Sequence, residues 1–85
     1  MVAAFEALGC QVHRISDADG FPDLVIHTPR DGYILVEVKD GNEGFTPRQR
    51  AWHANWRGPS YLVRKLSDVE TLFTYVTGQR IRRTA

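Results

Sequence analysis

The chain has 85 residues, 42% hydrophobic and 25% charged, with a formal net charge of +1. That suits one globular domain spanning 1–85, with a core so small that only about 60% of the unfolded surface is buried. No apolar run reaches the roughly 18 residues of a membrane span, no cleavable leader is visible, and the single Cys10 cannot close an internal disulfide, so a reducing cytoplasm is expected.

Val2 to Leu8 reads as a short helix, with Gly9 supplying the left-handed residue beyond its end. Cys10 reads as a small buried hydrophobe. Gln11 to Ile15 alternates around Val12 and Ile15 and reads as a first strand. Leu24-Val25-Ile26-His27, bounded by Pro22 and Pro29, is a second strand. Thr28-Pro29-Arg30-Asp31-Gly32 supplies turn chemistry, Pro presetting φ and Gly permitting a positive one. Tyr33 to Lys39 follows as a third strand, with Ile34, Val36 and Val38 on one face and Tyr33, Leu35, Glu37 and Lys39 on the other.

An antiparallel hairpin brings the start of its first strand beside the end of its second. Asp23 is therefore expected next to Glu37 and Lys39. A Pro-Asp pair alone is ordinary turn chemistry, and a Glu-x-Lys in a strand is ordinarily a solvated face. Both at the converging ends of one hairpin point instead to a site. Two carboxylates there can hold Mg²⁺ or Mn²⁺, which favour oxygen ligands and keep several waters. Asp17, Asp19, Asp40 and Glu43 add negative charge in the same region, and such crowding calls for a cation or basic partner.

After the Asp40-Gly41-Asn42-Glu43-Gly44 loop, Thr46 at the N-cap, Pro47 at N1 and Gln49 at N3 form a capping box for a helix running to about Trp56. The box accounts for Gln49 by itself; a return of this helix across the third strand would also bring Gln49 to the site. Arg48 and Arg50 lie elsewhere on the helix as candidate phosphate contacts. Trp52 and Trp56, four apart, share a face suited to packing on the sheet or on a partner. His53 sits near that face, and neither it nor His13 or His27 has a zinc-type spacing. Ser60 to Lys65 reads as a fourth strand, parallel to the third because a helix connects them. Ser67 is expected to cap a last helix, with Leu66 as staple, Glu70 at N3 and Gly78 at the end.

The fold class that results is α/β, a mixed four-stranded sheet flanked by helices in the order α-β-β-β-α-β-α. Charge is unevenly spread along it. Residues 1–42 carry Arg14, Arg30 and Lys39 against seven acidic residues, a balance of −4. Residues 43–85 carry Arg48, Arg50, Arg57, Arg64, Lys65, Arg80, Arg82 and Arg83 against Glu43, Asp68 and Glu70, a balance of +5. An acidic patch beside a basic surface suits a metal on one side and nucleic-acid phosphates on the other. Arg48, Arg50, Arg57, Arg80, Arg82 and Arg83 are the expected phosphate contacts.

Gly20-x-Pro22-Asp23-Leu24-Val25-Ile26, Val36-Glu37-Val38-Lys39, Thr46-Pro47-x-Gln49, a Trp on the same helix and Ser67-Asp68-Val69, in that order from about Val12 to Val69, resemble the virus-type replication-repair nuclease (VRR-NUC) family of the PD-(D/E)XK superfamily. The resemblance implies a restriction-endonuclease-like fold and a Mg²⁺- or Mn²⁺-dependent endonuclease acting on DNA. In it Asp23, Glu37 and the backbone carbonyl of Val38 bind metal, Lys39 positions or activates water, and Gln49 supports the site. Small stand-alone members are homodimers that cut four-way (Holliday) junctions, so the same substrate is expected here, in a bacterial or phage-infected cytoplasm. The departure is at the first helix, where the family's glutamate stands further upstream than Glu6; the chain is expected to be naturally minimal or trimmed there. The competing expectations are a non-catalytic nucleic-acid-binding module on a nuclease fold, and a purely structural protein whose Trp52/Trp56 face meets a partner. The intact Asp23, Glu37 and Lys39 set argues against the first of these.

Overall fold

A computed structural model describes residues 1–15, 20–30 and 32–79. The elements are α1 (Val2–Ala7), β1 (Gln11–Arg14), β2 (Leu24–His27), β3 (Tyr33–Val38), α2 (Pro47–Asn55), β4 (Ser60–Val63) and α3 (Leu66–Thr77), in the order read from the sequence. They form one four-stranded sheet in spatial order β1-β2-β3-β4. β1, β2 and β3 are antiparallel neighbours, and β4 pairs parallel to β3. The parallel pair is the geometry that a helical crossover through α2 demands.

Alternation within the strands sets the core. Leu24 and Ile26 of β2, Ile34 and Val36 of β3 and Val63 of β4 are buried and pack with Phe5 of α1 and Val69, Leu72 and Phe73 of α3. Helix α1 ends at Ala7 with Leu8 as its C-cap, and Gly9 takes φ +87 directly after the cap. At the far end of the chain Gly78 closes α3 with φ 69. Cys10 is buried, and that burial pushes its thiol up from the usual range.

β2 has the expected bounds, and the other three strands are shorter than expected by one or two residues, for identifiable reasons. Ile15 still donates its N–H to the Asp23 carbonyl at 2.7 Å, and Lys39 donates to the Val63 carbonyl at 3.0 Å, so those two ladders fade rather than break. β4 ends at Val63 because the N–H groups of Arg64 and Lys65 turn to the Asp68 carboxylate, at 2.8 and 3.1 Å. The same carboxylate moves the start of α3. Lys65, not Ser67, is the N-cap, Asp68 rather than Glu70 stands at N3, and Leu66, expected as a staple, is 59% exposed. A carboxylate taking two orphan N–H groups outcompetes a single serine hydroxyl.

Helix α2 stands apart from the core and buries no residue of its own. Its capping box forms as read: Thr46 Oγ1 accepts from the Gln49 N–H at 3.2 Å and Gln49 Oε1 accepts from the Thr46 N–H at 3.0 Å. The helix ends at Asn55, and Trp56 is the C-cap, its N–H donating to the Trp52 carbonyl at 3.1 Å.

Candidate active site

The hairpin juxtaposes its carboxylates by lacing backbone to side chain in both directions. The Asp23 N–H donates to Glu37 Oε2 at 3.2 Å, and the Val38 N–H donates to Asp23 Oδ2 at 3.0 Å. Leu24 is paired with Val36 in the β2–β3 register, so Asp23 necessarily falls beside Glu37. Because Glu37 alternates with Val36, its side chain leaves the sheet on the face opposite the α1/α3 core, yet it is only 1% exposed. Lys39 Nζ stands 3.6 Å from Glu37 Oε1, and Gln49 Nε2 donates to that oxygen at 2.5 Å.

Gln49 serves the capping box and the site with one amide. Its oxygen takes the Thr46 N–H while its nitrogen reaches Glu37, so the two readings of this residue are complementary. What seats α2 here is Gly20, at φ +91, whose backbone abuts the first turn of the helix. A Cβ on it would lie 2.6 Å from the Arg48 carbonyl oxygen and 3.0 Å from the Gln49 nitrogen. Only glycine allows that approach at that φ.

The electrostatics are those of a pair under tension. Burial pushes the Glu37 carboxyl up from the ordinary range, the neighbouring Asp23 charge adds to the rise, and Lys39 partly offsets both. A divalent cation would relieve the same repulsion. The donor set fits one: both groups are hard oxygen ligands, and a carboxylate already accepting one or two N–H bonds retains lone pairs for a cation. Among the described residues no group of three or more His, Cys, Asp or Glu assembles. Two hard oxygen donors such as Asp23 and Glu37 would suit Mg²⁺ or Mn²⁺ better than zinc.

Asp23 and Val38 open into a cleft of about 530 Å³ that Arg14, Asp40 and the start of α1 also line. Arg14 was not singled out by the sequence, since a lone Arg on a weak strand carries no motif. Its guanidinium has no hydrogen bond or ion pair among the described residues. Glu6 is exposed on α1 and does not line this cleft. A second residue without a sequence signal is Arg64, whose guanidinium donates to the carbonyls of Gly41 and Glu43 and so ties down the loop between Lys39 and α2.

Residues 11–66 match the model of the VRR-NUC domain. The chain belongs to the VRR-NUC family. A solved structure titled a VRR_NUC domain is 32% identical, with 87% of this chain and 86% of that one covered at a TM-score of 0.73. No curated protein matches the chain. The resemblance read from the motifs is thereby shown, and with it a nuclease-type fold of mixed sheet and flanking helices. In this VRR-NUC domain Asp23, Glu37, Val38, Lys39 and Gln49 lie together. Arg48 and Arg50 are exposed on α2, and Arg57 is exposed just beyond it. Arg80, Arg82, Arg83, Asp17 and Asp19 lie outside the described residues.

The aromatic side chains divide between core and surface. Phe73 is buried, and Tyr61 and Phe45 are half-buried. Trp52 is wedged against Phe21, His53 and Trp56. Tyr33, Trp56 and Tyr75 remain exposed. His53 stacks on Phe45, approaches Ser60 Oγ through Nδ1 at 3.0 Å, and is held below the usual imidazole range by burial. No helix among the described residues is long and apolar enough to cross a membrane.

Proposed function

We propose that this domain is a metal-dependent endodeoxyribonuclease that hydrolyses phosphodiester bonds, with four-way DNA junctions as its preferred substrate. The observation that carries the reading is the convergence of Asp23, Glu37, Lys39 and Gln49, from a loop, a strand end and a helix start, around one buried carboxylate. Asp23, Glu37 and the Val38 carbonyl are the residues that would hold Mg²⁺ or Mn²⁺. Such an ion, when bound, supplies a Lewis acid that acidifies a water and offsets charge on the phosphate. Lys39 brings an ammonium to the same place, where it orients the attacking water and stabilises charge developing on the phosphate oxygens. Gln49 keeps Glu37 turned towards Asp23. Arg48, Arg50 and Arg57, with the tail arginines, take the backbone phosphates and set register without reading sequence.

The exposed Tyr33 and Tyr75, 68% and 76% accessible, support a two-fold homodimer. Two symmetry-related sites would suit paired incisions on opposing strands. The reading is tested by incubating single-stranded, duplex, flap and four-way DNA with the protein in Mn²⁺ and in chelator, beside Asp23→Asn, Glu37→Gln and Lys39→Ala. Cleavage at the wild-type rate by a folded Asp23→Asn or Lys39→Ala protein overturns the assignment. Equal cleavage of linear duplex and junction refutes the substrate preference alone, and a monomeric mass in light scattering refutes the dimer. A protein that binds DNA but shows no saturable Mg²⁺ or Mn²⁺ site in calorimetry is the non-catalytic module.

A further inference from the structure

The helix that hands Gln49 to Glu37 also carries Trp52 and Trp56, and these belong to an aromatic row that begins in the site's own loop. Phe21, two residues before Asp23, meets Trp52 edge-on with ring centroids 5.1 Å apart. Trp52 then stacks on Trp56 at 4.9 Å and 21°. The row thus leads from the carboxylates to the far end of α2, and its outer rung is both exposed and held in place. Trp56 is 44% accessible. One side of its ring is occupied by Trp52, and the indole lies so closely over Gly58 that a Cβ there would come within 2.8 Å of Nε1.

Beside this rung lies an open cleft of about 470 Å³, lined by Arg48, Ala51, Trp52, Asn55 and Trp56. Its size falls in the range that ordinarily takes a small organic ligand. Asn55 donates Nδ2 to the Ala51 carbonyl at 2.8 Å, and an amide side chain carries an acceptor oxygen besides. The stretch of chain that carries the cleft is basic. Residues 44–67 contain Arg48, Arg50, Arg57, Arg64 and Lys65 and no Asp or Glu. A rigid aromatic with a guanidinium beside it is the arrangement on which nucleobases stack, because every base presents a π-face.

We propose that Trp56 and the adjoining cleft form a stacking platform for an unpaired nucleobase, so that the domain engages single-stranded nucleotides next to its cleavage site. The proposal deepens the nuclease reading and rests on it for the direction in which the strand runs. A second copy of the chain is the competing occupant, and charge disfavours it. A two-fold interface places the same patch on both sides, which would set this basic stretch against itself.

The experiment is fluorescence anisotropy of a labelled single strand and of the blunt duplex of the same sequence, in chelator so that no cleavage intervenes. Wild-type, Trp56→Ala and Trp56→Phe proteins are compared, with light scattering on each. Stacking on one aromatic corresponds to a loss of roughly 5- to 150-fold when it is truncated to alanine. Trp56→Ala should lose that much affinity for the single strand while leaving blunt-duplex affinity unchanged, and Trp56→Phe should restore most of it. Unchanged single-strand affinity, or equal weakening towards both DNAs, overturns the proposal. So does conversion of a wild-type dimer to a monomer by Trp56→Ala, which would give the face to a second copy. Because binding is read without metal, an inactive wild-type protein would defeat the nuclease reading and leave this result standing by itself.

Discussion

Replacing Gly20 by alanine should unseat the candidate active site without touching any of its polar groups. Gly20 holds φ +91, and its missing side chain points at the backbone of the first turn of α2, with the Arg48 carbonyl oxygen 2.6 Å and its carbon 2.7 Å from where a Cβ would sit. Neither atom belongs to a flexible side-chain tip, so the contact is relieved only by moving the helix start or the loop. An unstrained carbon contact lies at about 3.5 Å, so the required shift is roughly 1 Å. The left-handed conformation itself costs an L-residue about 1–2 kcal/mol. Loss of the Gln49–Glu37 hydrogen bond, now 2.5 Å, adds about 1 kcal/mol or more because Glu37 is buried. The sum, about 2–3 kcal/mol, corresponds to a drop of roughly 10–20 °C in midpoint for a domain of this size. A displacement of this order also costs about 100-fold in turnover. Thermal unfolding followed by circular dichroism gives the first quantity, and single-turnover cleavage in Mn²⁺ the second. Gly44→Ala is the control, since nothing lies within 4 Å of a Cβ at that position. If Gly20→Ala unfolds within a degree or two of the Gly44→Ala protein and cleaves at its rate, the close approach of loop and helix does not position the site.

The remaining predictions concern charge. Glu37 keeps its proton above the ordinary glutamate value of 4.5, so the folded state binds more protons than the unfolded one just above that pH. Metal-free protein should therefore lose stability as pH rises from 4.5 through the raised Glu37 value, and Glu37→Gln or saturating Mn²⁺ should flatten that decline in midpoint-versus-pH curves. Asp68 behaves oppositely: the Arg64 and Lys65 N–H groups hold its carboxyl below the ordinary value of 3.8. Its contribution is present above that pH and vanishes as pH falls through the lowered value, so Asp68→Asn should lower the midpoint at neutral pH and shrink the gap to wild type in acid. Deleting residues 79–85 removes Arg80, Arg82 and Arg83 and should weaken DNA binding while flattening its salt dependence, with metal binding intact; an unchanged salt slope would deny the tail any phosphate contact.

The parts of the site that were legible in the chain are the parts that local rules control. Asp23 meets Glu37 because a short turn and period-two strands leave a hairpin only one economical register. The capping box of Thr46 and Gln49 is local for the same reason, since both bonds close within one helical turn. Other features turn on which separated groups compete for one partner, and period and propensity carry no information about that. Two backbone N–H groups drawn to Asp68 moved the start of α3 from Ser67 to Lys65, although the serine is the better cap by residue type. Gln49 reaches Glu37 only because Gly20 lets α2 settle against the loop, a contact between residues nearly thirty positions apart. Arg14 joins the Asp23 cleft, and Phe21, Trp52 and Trp56 fall into one row, solely through the packing of strand, loop and helix. Residue type and spacing determined which chemistry the chain carries and which hairpin holds it; tertiary packing decided what surrounds that hairpin, because burial and competition for hydrogen bonds are properties of the assembled fold.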